Sequence, residues 1–147
     1  MRTLIISLIA FSFCACTPKH KSPEGSGMGS EWQNRQADAA TRQAGYPPDF
    51  AKLATYAVVA LLDESILTSP GPLRGEWVGH PLQQELFGEN VAGENFYLQL
   101  RDLLARPDTP ELADILEVFL LCLLLGFKGR YAASDGAEVQ GLITAAN

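Results

Sequence analysis

The sequence predicts an all-α fold, a compact bundle of about five or six helices, and three observations carry this prediction. Apolar residues recur at helical spacing along several stretches of the chain. Clusters of Pro and Gly separate these stretches, as expected where helices end. No stretch alternates apolar and polar residues as a half-buried strand does, and no repeat of solenoid length occurs.

The composition indicates one globular domain. The chain has 147 residues, of which 47% are hydrophobic, and this apolar content argues against disorder. A formal net charge of −6 argues against a nucleic-acid partner, which requires a cationic surface. Residues 49–117 hold twelve acidic and four basic groups, so the acidity belongs to the middle of the chain. It is either a solvated helical surface or a docking face for a basic partner.

The first 16 residues are predicted to be a targeting segment. Arg2 precedes the apolar run Leu4–Cys16, whose 13 residues are fewer than the roughly 20 needed to cross a bilayer but match a signal-peptide core. Phe13–Cys16 (FCAC) resembles a bacterial lipoprotein cleavage box, in which Cys16 would carry the lipid. An uncleaved short anchor and a secretory signal cut elsewhere are the alternatives.

The next segment, residues 17–30, is predicted to be a flexible linker because it is rich in Pro, Ser and Gly. Lys19 and Lys21 would hold the following chain in the cytoplasm if the targeting segment stays uncleaved. Residues 31–147 then form the predicted helical domain. Within it, Glu31–Ala44 is a weak helix candidate with Trp32 as its anchor.

A long buried helix is predicted over Phe50–Leu67, with Asp49 as its N-cap. Thr68–Pro72 contains two prolines and ends this helix. A loop is predicted from there to His80. Pro81 then opens a short helix, Leu82–Phe87, which Gly88 closes.

Two further helices are predicted over Gly93–Ala105 and Pro110–Leu125. The first is amphipathic, and the second begins at a strong start signal, Asp108–Glu111. Its second half is apolar on every side, but Ile115–Phe127 is too short for a membrane span and contains a carboxylate, so we expect a central core helix. Ser134–Ala146 is a candidate last helix.

No catalytic or metal-binding pattern is present. The two histidines, His20 and His80, are sixty residues apart, and neither CxxC nor HExxH occurs. Cys122 is expected to be a small buried hydrophobe rather than a nucleophile. We therefore predict no metal, no cofactor and no enzymatic activity.

Asp63 and Glu64 are unusual because they lie inside an otherwise apolar helix. Neighbouring helix positions point about 100° apart, so the two side chains cannot both face one solvent side. At least one is expected to bond a loop or a cation such as Arg130 or Arg74, or else to contact another protein.

The second unusual element is the segment Gly126–Tyr131 (GFKGRY). A tight backbone reversal would use both glycines. Lys128 and Arg130 would complement the negative end of the preceding helix.

Four blocks in this order resemble the DotU/IcmH/TssL family of type IV and type VI secretion systems. They are ALLDESIL at 60–67, EWVGHPLQQELFGE at 76–89, AGENFYLQL at 92–100 and LEVFLLCLLLGFKGRY at 116–131. The resemblance implies a helical domain of two packed small bundles in a non-enzymatic structural subunit. It also implies an IcmF/TssM-like membrane protein and baseplate components as partners, with a homodimer left open.

The resemblance and the residue patterns together suggest partner-binding and motif residues. The partner-binding candidates are Asp63, Glu64, Trp77, Glu85 and Glu89, and the family turn comprises Gly126, Phe127, Gly129, Arg130 and Tyr131. The family usually carries a transmembrane helix after this turn. None is apparent up to Asn147, which suggests a short variant.

Two localisations follow. The resemblance implies an inner-membrane protein with a cytoplasmic domain, whereas a cleaved signal would give a periplasmic lipoprotein. The preferred function is a membrane-tethered assembly subunit of a type IV/VI-like secretion apparatus. The alternative is a small helical lipoprotein that binds an apolar ligand or an envelope protein.

Overall fold

The computed structural model describes residues 42–43, 45–133 and 136–146. The chain divides into two units, residues 1–55 and 56–147, and every contact of the candidate site lies within the second. The predicted targeting segment, the linker and the Glu31–Ala44 helix fall outside the described residues or almost wholly so.

The all-α prediction is confirmed, because the described residues form helices and contain no β-strand. Six α-helices and one 3₁₀ turn are described: α1 Pro48–Thr68, α2 Leu73–Gly79, α3 Leu82–Phe87, α4 Ala92–Leu104, α5 Pro110–Leu124, the 3₁₀ turn Gly129–Tyr131 and α6 Ala137–Ala146.

The start of α1 differs from the prediction. The helix begins at Pro48, so Asp49 lies in its first turn and is not the N-cap. A proline fits this first position because the N–H it lacks would have no partner within the helix, and an acidic first turn favours the positive end of the helix dipole.

The predicted loop after α1 is wrong over Leu73–Gly79, which forms the short helix α2. The sequence did not predict this helix because none of its residues is buried, and it therefore lacks the amphipathic pattern of a helix that packs on a core. Two glycines and the preceding Pro-Gly-Pro also favour a loop.

Helix α3 has the predicted bounds and ends at Gly88, whose φ of 73° is left-handed. Helix α4 is shifted by one residue from the prediction, within the usual uncertainty of helix ends. It buries one face, comprising Ala92, Phe96, Tyr97, Leu100 and Leu103.

Helix α5 begins as predicted. The Thr109 hydroxyl accepts a hydrogen bond from the backbone N–H of Leu112 at 3.1 Å, with Pro110 at the first helical position. At the other end, the N–H of Phe127 donates to the carbonyl of Cys122, and the N–H of Gly126 to that of Leu123. These two bonds form a Schellman motif, in which Gly126 takes a φ of 104°.

The expectation of a central core helix holds for one face of α5, but the C-terminal end of its apolar run is partly exposed. Val118, Phe119, Cys122 and Leu123 are buried. Leu121, Leu124 and Leu125 are 37%, 62% and 72% exposed. Helix α6 packs against α5 but leaves these leucines uncovered.

An aromatic cluster joins α4, α5 and the 3₁₀ turn. The ring centroid of Phe96 lies 4.4 Å from that of Phe127 and 4.8 Å from that of Phe119. Tyr97 meets Tyr131 edge-to-face at 4.6 Å. Such aromatic contacts stabilise a core beyond the apolar area they bury.

Cys122 is a buried free thiol, as predicted, and burial raises its pKa to about 12. No helix among the described residues is both long and apolar enough to cross a bilayer.

Candidate functional site

The carboxylate of Asp63 holds the segment that follows α1. It is 1% exposed. Its Oδ1 accepts hydrogen bonds from Trp77 Nε1 at 2.8 Å and from the backbone N–H of Leu82 at 2.9 Å, and its Oδ2 accepts from the N–H of Gln83 at 2.9 Å. Three donors therefore replace the water that a buried carboxylate loses.

Glu64 performs the same task for the turn after α5. Its Oε1 accepts from the backbone N–H of Lys128 at 2.8 Å, and its Oε2 from that of Gly129 at 2.6 Å. The acid thus bonds a loop backbone, one of the expected outcomes, and not the side chain of Arg130 or Arg74.

The divergence of neighbouring helix positions explains why Asp63 and Glu64 serve different elements. Successive side chains point about 100° apart, so one reaches α2 and α3 while the other reaches the 3₁₀ turn. Together they fasten two segments, separated by more than forty residues, to one turn of α1.

The other partner-binding candidates lie in different surroundings. Trp77 is half-buried against Asp63, Glu85 is exposed, and the half-buried Glu89 accepts two hydrogen bonds of 3.2 Å from the side-chain amide of Asn95. These bonds give Asp63 an intramolecular role. Partner contact by any of the five candidates stays a prediction.

The family turn is a tight reversal that uses both glycines, as expected. Gly126 and Gly129 have φ values of 104° and 49°. Phe127 lies between the two glycines in the chain and Tyr131 follows them, and both side chains are buried. Arg130 is exposed, and its guanidinium carbon lies 5.1 Å from the Tyr131 ring centroid.

Two tyrosines bind the turn to α4. The Tyr97 hydroxyl donates to the carbonyl of Lys128 at 2.8 Å, and Arg101 Nη2 donates to the hydroxyl of Tyr131 at 2.9 Å. Burial, followed by the negative charge of Glu64, raises the pKa of Tyr97, so it stays a neutral donor.

The patterns missed Gly93 and Gln83 as positioning residues. A Cβ on Gly129 would lie 2.5 Å from the carbonyl oxygen of Gly93, so the backbones of α4 and the turn touch only because both residues are glycine. Gln83 Oε1 accepts from the N–H of Ala92 at 2.8 Å and so caps α4 from a distance. The only available signal was that both lie in the family-like blocks.

Replacing Gln83 with Ala should lower the free energy of unfolding by about 1 kcal/mol, because an N-terminal N–H of α4 loses its acceptor. Urea unfolding followed by circular dichroism measures the change. Gln84→Ala is the control, since Gln84 is an exposed neighbour on the same helix. Equal stability of the two variants would contradict the capping role.

Asp63 and Glu64 act as a structural clamp, because each carboxylate holds a distant segment of the chain to α1. The carboxylates of Asp63 and Glu64 are occupied by N–H donors, which leaves neither placed as a general base toward a substrate. Among the described residues, no three His, Cys, Asp or Glu side chains are grouped as a metal site requires.

Comparisons with known proteins identify the family. The family described as "Type VI secretion system protein DotU" matches residues 29–146, most of the chain. The chain belongs to the DotU family. This DotU-family chain is similar to the cytoplasmic domain of TssL from Acinetobacter baumannii, with 29% identity over 97% of this chain and 91% of that one, and a TM-score of 0.70.

A second solved structure resembles it, that of type VI secretion protein SciP/TssL from Escherichia coli Enteroaggregative 042. The identity is 25% over 99% of this chain and 82% of that one, with a TM-score of 0.62. No curated protein matches significantly. DotU/TssL is a family of structural secretion-system components and is not known as an enzyme family.

Proposed function

We propose that this DotU-family chain is a membrane-tethered assembly subunit of a type VI-like secretion apparatus and docks other components through its helical domain. An IcmF/TssM-like membrane protein and baseplate components are the proposed partners. The family match over residues 29–146 supports the assignment to the machine.

The observation that carries the docking proposal is the way Asp63 presents α2 and α3. Its three hydrogen bonds fix a segment in which none of the α2 and α3 residues is buried. Leu73 and Val78 are 62% and 63% exposed, and Glu76 and Glu85 are exposed carboxylates. Exposed acidic and apolar side chains on a segment that Asp63 fixes fit a partner segment that is basic and apolar.

Reversing both acids tests the docking proposal. The double variant Glu76→Lys and Glu85→Lys should lower recovery of the IcmF/TssM-like protein in affinity purification by about tenfold or more, because like charges then face each other. Asp108→Lys with Glu138→Lys is the control, since it makes the same charge change at exposed positions elsewhere. Equal recovery from both double variants would exclude this surface.

The proposed tether is the first 16 residues, with lipid on Cys16 or with the segment kept as an anchor. Metabolic labelling with a lipid precursor distinguishes these alternatives when wild type is compared with Cys16→Ser. Protease treatment from the periplasmic side then reports where the domain lies. An acylated, protease-sensitive protein would exclude the cytoplasmic placement.

A further inference from the structure

The C-terminal end of α5 carries an apolar surface that the core does not use. Leu121, Leu124 and Leu125 are 37%, 62% and 72% exposed. Positions 121, 124 and 125 are neighbours on one helix surface, because they are separated by three and four residues. The chain therefore presents three leucines together on one helix surface, a small apolar patch that the core does not use.

Two cationic residues follow this surface in the chain. Lys128 and Arg130 are exposed and follow Leu125 within five residues. Residues 118–134 contain no acidic residue, although the whole chain has a net charge of −6. The local charge is thus opposite to that of the molecule.

Two acids contact this segment, and neither neutralises it strongly. Glu64 directs its carboxylate to the backbone N–H groups of Lys128 and Gly129. Glu94 is 3.9 Å from Arg130 Nη1, a long ion pair with both side chains substantially exposed. On α5, Glu117 precedes Leu124 by seven residues, about 10 Å along the axis, and so limits the surface at its other end.

We propose that Leu121, Leu124, Leu125, Lys128 and Arg130 form a contact surface for an anionic lipid bilayer. The leucines would enter the boundary between headgroups and acyl chains, and the two cations would lie among the lipid phosphates. This arrangement matches the division between apolar and cationic groups in interfacial membrane-binding helices.

The same features argue against a second copy of the chain as the occupant. A stable interface buries about 800 Å² on each partner, more than three leucine side chains supply. Two such surfaces brought together would also place the cations of both copies side by side. The inference does not depend on the proposed docking partners, because it concerns a different helix and a different ligand.

Flotation of the full-length chain with phospholipid vesicles tests the inference. With phosphatidylcholine–phosphatidylglycerol vesicles, Leu124→Glu should lower the partition coefficient about tenfold, the effect of withdrawing one leucine from an apolar phase. The control is Leu73→Glu, because Leu73 is also 62% exposed but lies on α2. The amino-terminal apolar segment contributes equally to the binding of both variants, so the ratio of their partition coefficients reports the contribution of the leucine on α5.

The charge is tested separately. Lys128→Gln should lower binding to the anionic vesicles about fivefold and leave binding to pure phosphatidylcholine unchanged, with Lys52→Gln, another exposed lysine, as its control. Urea unfolding establishes that Leu124→Glu is folded. Equal partition of Leu124→Glu and Leu73→Glu would overturn the inference. A second result would also overturn it: Leu124→Glu binds vesicles as wild type does but no longer forms a dimer in sedimentation. That result would assign the surface to a second copy of the chain.

Discussion

Replacing Asp63 with Ala should lower the free energy of unfolding by about 3–5 kcal/mol, because it removes the shared acceptor of three hydrogen bonds in a buried place. The Trp77 indole N–H and two backbone N–H groups would lose their partner together. Urea unfolding followed by circular dichroism measures the loss, and the emission of Trp77 should shift to longer wavelength as water reaches the indole.

Asp63→Asn separates charge from shape in the same experiment. The amide keeps the size of the carboxylate, but it has one acceptor oxygen and turns an NH₂ group toward N–H donors. We expect it to be nearly as destabilising as Ala. Asp102→Asn is the control, since the Asp102 side chain is 66% exposed in an ion pair with Arg106 and should change stability by less than about 1 kcal/mol. A similar small effect at both sites would show that Asp63 does not hold α2 and α3.

Replacing Gly129 with Ala should cost a comparable amount, about 3–5 kcal/mol, from two sources. Its φ of 49° is unfavourable for any residue with a Cβ. The added Cβ would also lie 2.5 Å from the carbonyl oxygen of Gly93 and 3.0 Å from Phe127 Cζ. Because hydrogen bonds hold the turn to both α1 and α4, its backbone cannot shift to relieve this contact. Thermal and urea unfolding measure the cost.

Gly88→Ala separates these two sources. Gly88 has a φ of 73°, and a Cβ there would meet no atom within 4 Å, so only the backbone strain remains. We expect a loss of about 1–2 kcal/mol at this position. If the Gly129 variant loses no more than the Gly88 variant, the close approach to Gly93 has no energetic importance.

The features that the sequence predicted well are those that depend on neighbouring residues. Thr109 and Pro110 predicted the start of α5, because capping is decided within one turn. Gly126 and Gly129 predicted a tight reversal for the same reason, since glycine readily adopts positive φ. The two acids were conspicuous because carboxylates are rare in an apolar helix.

The features that were missed depend on residues far apart in the chain. No local pattern indicates that Asp63 accepts from Trp77 and Gln83, or that Gly93 must be small because Gly129 lies against it. The exposure of Leu124 was missed for a related reason. Hydrophobicity alone does not report whether a neighbouring helix covers a given face, and α6 leaves this one open.

The adjacent acids close loops of very different length, which bears on the order in which the chain folds. Asp63 closes loops of 14 to 20 residues, whereas Glu64 closes loops of 64 and 65. Loop-closure entropy makes the longer loop costlier by about 1 kcal/mol. We therefore expect the α2–α3 segment to pack on α1 early in folding, and the family turn to bind Glu64 later. Loss of Asp63 would then chiefly slow refolding, and loss of Glu64 would chiefly hasten unfolding.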